Sequence, residues 1–326
     1  MTAARRQPAP TDPSPPTNLS DLTDNPRSAP TMRTRLSGAA WAALGIVYIV
    51  WGSTYLAIRI AVETMPPFFS AAARFIGAGL LLATLLALRQ GPSALRVTKR
   101  RLGSAVLVGV LLLLGGNGLV VLAEQSVPSG LAALLVAAVP LWVVLLRRAS
   151  GRHTSGATIA GVLVGLVGLG VLTAPGLSGE VGLGGLLTVI GATLSWSTGS
   201  FLAGRLPMPR NAFAASAYEM LAGGLCCLLV SAAKGELHSL DLAAVSTHSW
   251  LALGYLILFG SVVAFSAYAW LLQSAPLPLV ATYAYVNPVV AVFLGWLVLA
   301  EPLSWPIVLG GAIVVGGVFL VVRSER

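Results

Sequence analysis

The chain has 326 residues, of which 56% are hydrophobic and only 10% charged, with a mean hydropathy of +0.85. A water-soluble domain of this length needs far more polar surface, so that class is excluded. The formal net charge of +9 would suit nucleic acid, but the charges are distributed as a membrane dictates, and nucleic acid is excluded as a partner.

Residues 1–37 are polar and proline-rich and lack the apolar material to fold. They show no short apolar core followed by a small-residue cleavage site, so they do not read as a secretory signal. A disordered cytoplasmic tail is expected, with the first helix acting as an uncleaved insertion signal.

Ten apolar spans follow, at about 38–61, 68–88, 102–122, 127–146, 156–174, 181–203, 211–233, 249–272, 277–299 and 304–322. Each has the length, about 20 residues, that crosses a hydrocarbon core of about 30 Å. The connections are short and hold no soluble domain, which puts the function in the bundle itself. The expected fold is an all-α integral membrane protein.

Lys and Arg set the orientation. One side receives 17 of the 20: the tail, the loops holding Arg89 to Arg101, Arg147 to Arg152 and Arg205 to Arg210, and the C-terminus (323–326). The other side receives Lys234 and the acids Glu63, Glu124, Glu180, Glu236, Asp241 and Glu301. Both termini are therefore expected in the cytoplasm. Arg59 and Arg74 fall inside helices. The adjacent Cys226 and Cys227 exclude a disulfide framework, and the three histidines have no metal-ligand spacing. No cofactor is implied.

The chain repeats itself. At an offset of 145, Trp51 meets Trp196, Arg74 meets Glu219, and Gly109 and Gly115 meet Gly254 and Gly260. At 148, Gln125-Ser126, Pro128 and Pro140 meet Gln273-Ser274, Pro276 and Pro288; at 149, Ser155, Gly161 and Gly168 meet Ser304, Gly310 and Gly317. Five spans per copy is an odd number, so the second copy enters the membrane inverted. The reading is ten transmembrane helices as two inverted five-helix repeats, the usual construction of a secondary transporter with its substrate near the midplane.

WGSTYLAIRIAVETMPPFFSAAARF, GNGLVVLAEQSVPSGLAALL and ATYAYVNPVVAVFLGWLVLAEPLS resemble the EamA family of the drug/metabolite transporter superfamily, and its YedA-like branch in particular. The resemblance covers about residues 38–322. It implies two EamA repeats, 38–174 and 175–322, in a bacterial inner membrane, and transport, often export, of amino acids or other small metabolites. The first copy departs from the second near its end: LLRRASGRHTS (145–155) stands where the second has LAEPLS (299–304), so Glu301 has no mate.

The candidate substrate or cavity residues are Arg74, Asn117, Glu219, Tyr283, Tyr285, Asn287, Trp51 and Trp196. Arg74 lies about 10 Å into its span at 1.5 Å per residue. A charge there costs roughly 2.5–3.5 kcal/mol and should face protein or a water-filled cavity. It suits a substrate carboxylate; the alternatives are bonding to helix carbonyls or snorkelling outward. Glu219 could pair with Arg74, carry a coupling proton or bind a substrate amine. Arg59, near its helix end, reads as an anchor. Asn117, in GGNG (115–118), sits where glycines allow close approach. Glu124 and Gln125 are candidate gates. Pro140 and Pro288 are expected to break matched helices at the repeat interface, a pointer to a binding site. Gly161-x-x-x-Gly165 reads as helix packing.

No Gly-x-Ser-x-Gly elbow, His-Glu-x-x-His or P-loop is present, and an enzyme is not expected. A secondary transporter, with or without proton coupling, is the leading expectation. An uncoupled facilitator or channel is the alternative, ahead of a membrane scaffold or receptor. The expected partners are a small-molecule substrate and the lipid bilayer, with a homodimer left open.

Overall fold

The computed structural model describes residues 37–151, 155–177, 181–275, 280 and 283–324. The described residues are helical, with no strand among them. The main helices are α1 (Gly38–Val62), α2 (Pro67–Gln90), α3 (Lys99–Ala123), α4 (Ser129–Ala149), α5 (Gly156–Leu177), α6 (Leu183–Ala203), α7 (Ala212–Ala233), α8 (Thr247–Leu271), α9 (Tyr283–Leu299) and α10 (Trp305–Ser324). Seven of these, α1–α4 and α6–α8, are long and apolar enough to cross a membrane. The other three contain shorter apolar stretches, Gly156–Gly168, Val286–Leu299 and Trp305–Gly317. The expected start of the ninth span lies largely outside the described residues.

The helices pack in pairs that respect the sequence repeat. Exchanging each helix for its mate five places along turns α1–α9 contact into α6–α4, α1–α8 into α6–α3, and α3–α7 into α8–α2; α2–α7 and α5–α10 map onto themselves. Trp51 and its mate Trp196 touch edge-to-face, with ring centroids 5.9 Å apart. A residue in contact with its own repeat mate must lie beside the axis relating the copies.

Close packing follows from small residues where helices cross. A Cβ on Gly317 of α10 would lie 2.7 Å from the Gly165 Cα of α5, and one on Gly109 of α3 would lie 2.7 Å from the Glu219 Cα of α7. Those glycines permit backbone-to-backbone contact that no larger residue allows.

α3 and α8 each contain a π-helical segment at corresponding positions, Val110–Gly118 and Leu256–Val263. Widening a helix frees carbonyls from the i→i−4 ladder and is frequent at functional sites. Here neighbouring helices use them: Ser195 Oγ donates to the Leu111 carbonyl at 2.8 Å and Trp51 Nε1 to the Gly260 carbonyl at 3.2 Å.

The two prolines expected to break helices behave differently. α4 is interrupted at Ala137 and Ala138, and Pro140 opens its second half, where its missing N–H costs nothing. α9 runs uninterrupted through Pro288. Its preceding turn is tied by Asn287, whose amide nitrogen, in the orientation that satisfies it, donates to the carbonyls of Tyr283 (3.2 Å) and Tyr48 (3.1 Å).

Two helices that begin behind proline are capped from elsewhere in the chain. Proline has no side-chain acceptor to offer the first N–H groups. For α2, behind Pro66, Glu236 accepts from the amides of Phe68 (3.5 Å) and Phe69 (3.0 Å). For α4, behind Pro128, Glu301 accepts from Ser129 N (2.8 Å), Ser129 Oγ (3.0 Å) and Gly130 N (3.1 Å). Both carboxylates also oppose the positive end of a helix dipole. Glu236→Ala is expected to cost about 1 kcal/mol, read as a lower melting temperature in detergent, with Glu236→Gln recovering part of the loss.

Candidate functional site

A cavity of about 70 Å³ lies beside the Trp51–Trp196 pair. That is room for a few waters. Its wall comes from α1 (Trp51, Thr54, Tyr55, Ile58), α2 (Arg74), α3 (Gly116, Asn117, Val120), α4, α6 (Thr193, Trp196) and α9 (Tyr283, Asn287).

Arg74 is the only charged residue in that wall among the described residues. It is buried, and it sits between the two π segments. Nε donates to Ser261 Oγ of α8 at 2.9 Å and Nη1 to Asn117 Oδ1 of α3 at 3.3 Å. Gly260 leaves room for the guanidinium: a Cβ there would lie 3.3 Å from Nη2. Arg74 makes no ion pair among the described residues. Its hydrogen-bond partners are neutral, so the guanidinium is oriented by Ser261 and Asn117 without a carboxylate bonded to it. A guanidinium in this state retains donors for a carboxylate brought in from outside.

Apolar and aromatic surface completes the cavity. Trp51 packs on Tyr283 with centroids 5.4 Å apart at 87°, and on Tyr268 at 4.8 Å. Phe265 and Tyr268 of α8 also pack on Trp51 and are buried in the core with it, outside the cavity wall. The two copies fill the space around Trp51 unequally, because Phe265 and Tyr268 of α8 stand where α3 has Val120 and Ala123 at the offset of 145.

Six of the expected residues, Trp51, Arg74, Asn117, Trp196, Tyr283 and Asn287, meet at this cavity. Glu219 is buried in α7 but is not part of the wall, and no ion pair joins it to Arg74 among the described residues. The Tyr285 side chain lies outside the described residues. Pro140, Pro288 and Gln125 are also absent from the wall, and Gln125 is exposed. Glu124 differs from its neighbour: it is fully buried, and Arg59 donates through Nη1 to its main-chain carbonyl.

Tyr55, Thr193 and Ser261 are site residues that sequence reading did not single out. Ser261 aligns with Gly116 at the offset of 145, so a polar residue replacing a repeat glycine was a usable signal. Nothing local marks Thr193, whose Oγ1 accepts from Trp142 Nε1 at 2.9 Å. Ser261→Ala is expected to leave the fold intact and weaken whatever Arg74 holds, because the guanidinium loses the bond that fixes its Nε edge. A loss of about 1 kcal/mol in binding, or roughly fivefold in apparent affinity, would be read from a transport or binding titration.

The pattern of the EamA-like transporter family matches residues 36–174 and again 183–323. The chain is 43% identical over 275 residues to the "Uncharacterized inner membrane transporter YedA" of Escherichia coli K12, covering 84% of this chain and 87% of that protein. It is 26% identical to the "Uncharacterized transporter YoaV" of Bacillus subtilis, over 85% of this chain and 95% of that one. A protein of known crystal structure shares the fold, with a TM-score of 0.63 at 21% identity over 88% of this chain and 99% of its own.

Proposed function

The chain belongs to the EamA-like transporter family, and on that premise we propose that it is a secondary carrier exporting amino acids or other small metabolites by alternating access. The observation that carries this reading is the cavity beside the repeat axis, with a buried arginine in its wall that bonds only neutral acceptors among the described residues. A carboxylate on Arg74 would be held by charge-assisted bonds, and the indoles and phenols around it would cover the apolar part of the solute.

The contact between Trp51 and its repeat mate Trp196 beside the cavity supports the alternating mechanism, because the cavity then lies where the two copies would rock against each other. Ten spans arranged as inverted repeats, both termini in the cytoplasm and an inner-membrane location are part of the same proposal. It rests on the paired packing of the helices and on the loop distribution of Lys and Arg. Coupling to a proton gradient is the driving force we propose.

The test is uptake of an amino-acid and metabolite panel into proteoliposomes, with and without an imposed proton gradient. Movement of one compound that responds to the gradient is expected. Movement indifferent to it would replace the coupled carrier with a facilitator, and no movement of any panel compound would leave only the fold.

A further inference from the structure

A cluster of charged groups surrounds Glu124, outside the cavity wall: Glu124 and Arg74 are buried, Arg59 and Glu301 half-buried. Glu124 directly follows the last residue of α3, and both of its carboxylate oxygens are buried without a hydrogen-bond partner among the described residues. Two arginines are in electrostatic range, but their assigned donors are engaged elsewhere. Arg59 bonds the Glu124 main-chain carbonyl rather than its side chain, and Arg74 bonds Ser261 and Asn117. Glu301 is the second acid in range. Its environment is different: it accepts three hydrogen bonds, from Ser129 N, Ser129 Oγ and Gly130 N, at the N-terminal end of α4.

An ionised carboxylate buried without a donor is costly by several kcal/mol, and a neutral carboxyl is far cheaper. Two acids whose surroundings push them apart divide the work: one stays charged and the other holds the proton. We propose that Glu124 is the proton-carrying carboxyl of this chain, neutral in the present conformation beside an ionised Glu301, and that it exchanges its proton with water when the α3–α4 end of the bundle opens. In that step hydronium on the open side transfers its proton to one Glu124 carboxylate oxygen, one O–H bond breaking in the hydronium to leave water as another forms on the carboxyl. The carboxyl O–H bond breaks on hydration from the other side and returns the proton to water. The inference rests on the carrier reading above and assigns its coupling group.

The groups facing Glu124 are accounted for by element. α1 brings Tyr55 and Arg59, α2 brings Arg74, the segment after α9 brings Glu301, and α9 brings Tyr283 beside Tyr55. α6 has no titratable residue, and the charges of α3 and α4 lie at the opposite ends of those helices. Burial raises the Glu124 carboxyl well above the ordinary carboxylate range and the Glu301 charge adds to this, while the charges of Arg59 and Arg74 oppose it. Because Arg74 lines the cavity and lies in electrostatic range of Glu124, the charge state of Glu124 is felt where the solute would sit.

The experiment is infrared difference spectroscopy of the full chain in lipid nanodiscs, titrated with pH and without any solute. A protonated-carboxyl C=O band is expected at neutral pH, lost in Glu124→Gln and retained in Glu219→Gln. In Glu301→Gln the band should vanish at lower pH than in the wild type, because removing the neighbouring negative charge makes ionisation easier. Glu124→Asp, which keeps the acid, should retain a shifted band and covers the case in which Glu124→Gln does not fold. A Glu124→Gln spectrum identical to the wild type would overturn the assignment, as would a band unmoved by Glu301→Gln. The outcome separates from that of the carrier reading. Proton-driven transport surviving in Glu124→Gln removes the assignment and keeps the carrier. The Glu124 band without transport of any panel compound does the reverse.

Discussion

Arg74→Ala is expected to abolish transport while leaving membrane insertion nearly unchanged. Removing a charge from an apolar span eases insertion by roughly 2.5–3.5 kcal/mol on insertion scales, so loss of function cannot be traced to failed biogenesis. What disappears is the guanidinium held by Ser261 and Asn117 in the cavity wall. A charge-assisted bond to a solute carboxylate contributes about 1.5–3 kcal/mol, so the lost affinity is about 10- to 100-fold. Arg74→Lys keeps the charge without the planar fork and should recover part of it. Transport in proteoliposomes, set beside size-exclusion profiles and melting curves of the same preparations, is the measurement. Unchanged transport by Arg74→Ala would remove the arginine as the solute anchor.

Gly317→Val is expected to be the most damaging of the packing substitutions, and by a different route. α5 and α10 meet backbone to backbone, and a Cβ on Gly317 would lie 2.5 Å from the Gly165 amide nitrogen and 2.8 Å from the Gly161 carbonyl oxygen. Neither atom belongs to a side chain that can turn away, so the two helices must separate. Overpacking of a tight core costs about 1–3 kcal/mol, and forced separation of two backbones belongs at the upper end. A clear fall in melting temperature and in the monodisperse fraction is expected. Gly316→Val is the control: a Cβ there meets nothing within 4 Å, and the substitution should be nearly silent. Equal behaviour of the two variants would show that α5 and α10 do not meet as described.

Much of the arrangement was legible in the residues. The offset of 145 that relates Trp51 to Trp196 reappears as physical contact between them, and it also relates the two π segments. Six of the candidate residues converge on one cavity because burying a charge or an amide inside an apolar helix demands a polar pocket to receive it. Glu219 was readable as a buried acid by the same argument, but not its distance from the cavity. Depth along a helix follows from counting residues, whereas the direction a side chain faces depends on the neighbours packed around it. Pro288 shows the same limit: the sequence marks a lost backbone bond, and only the Asn287 contacts to Tyr283 and Tyr48 show how the preceding turn is held.

Glu301 marks the boundary most clearly. As a sequence feature it was an acid without a repeat mate; in the structure it caps α4 from 172 residues away and stands in electrostatic range of Glu124. Composition, span length and loop charge by themselves determined that this is a helical membrane protein built from a repeated unit, because those properties record the cost of placing each residue in lipid or water. The tertiary structure alone decided which buried charges share an environment, since that depends on contacts between helices far apart in the chain.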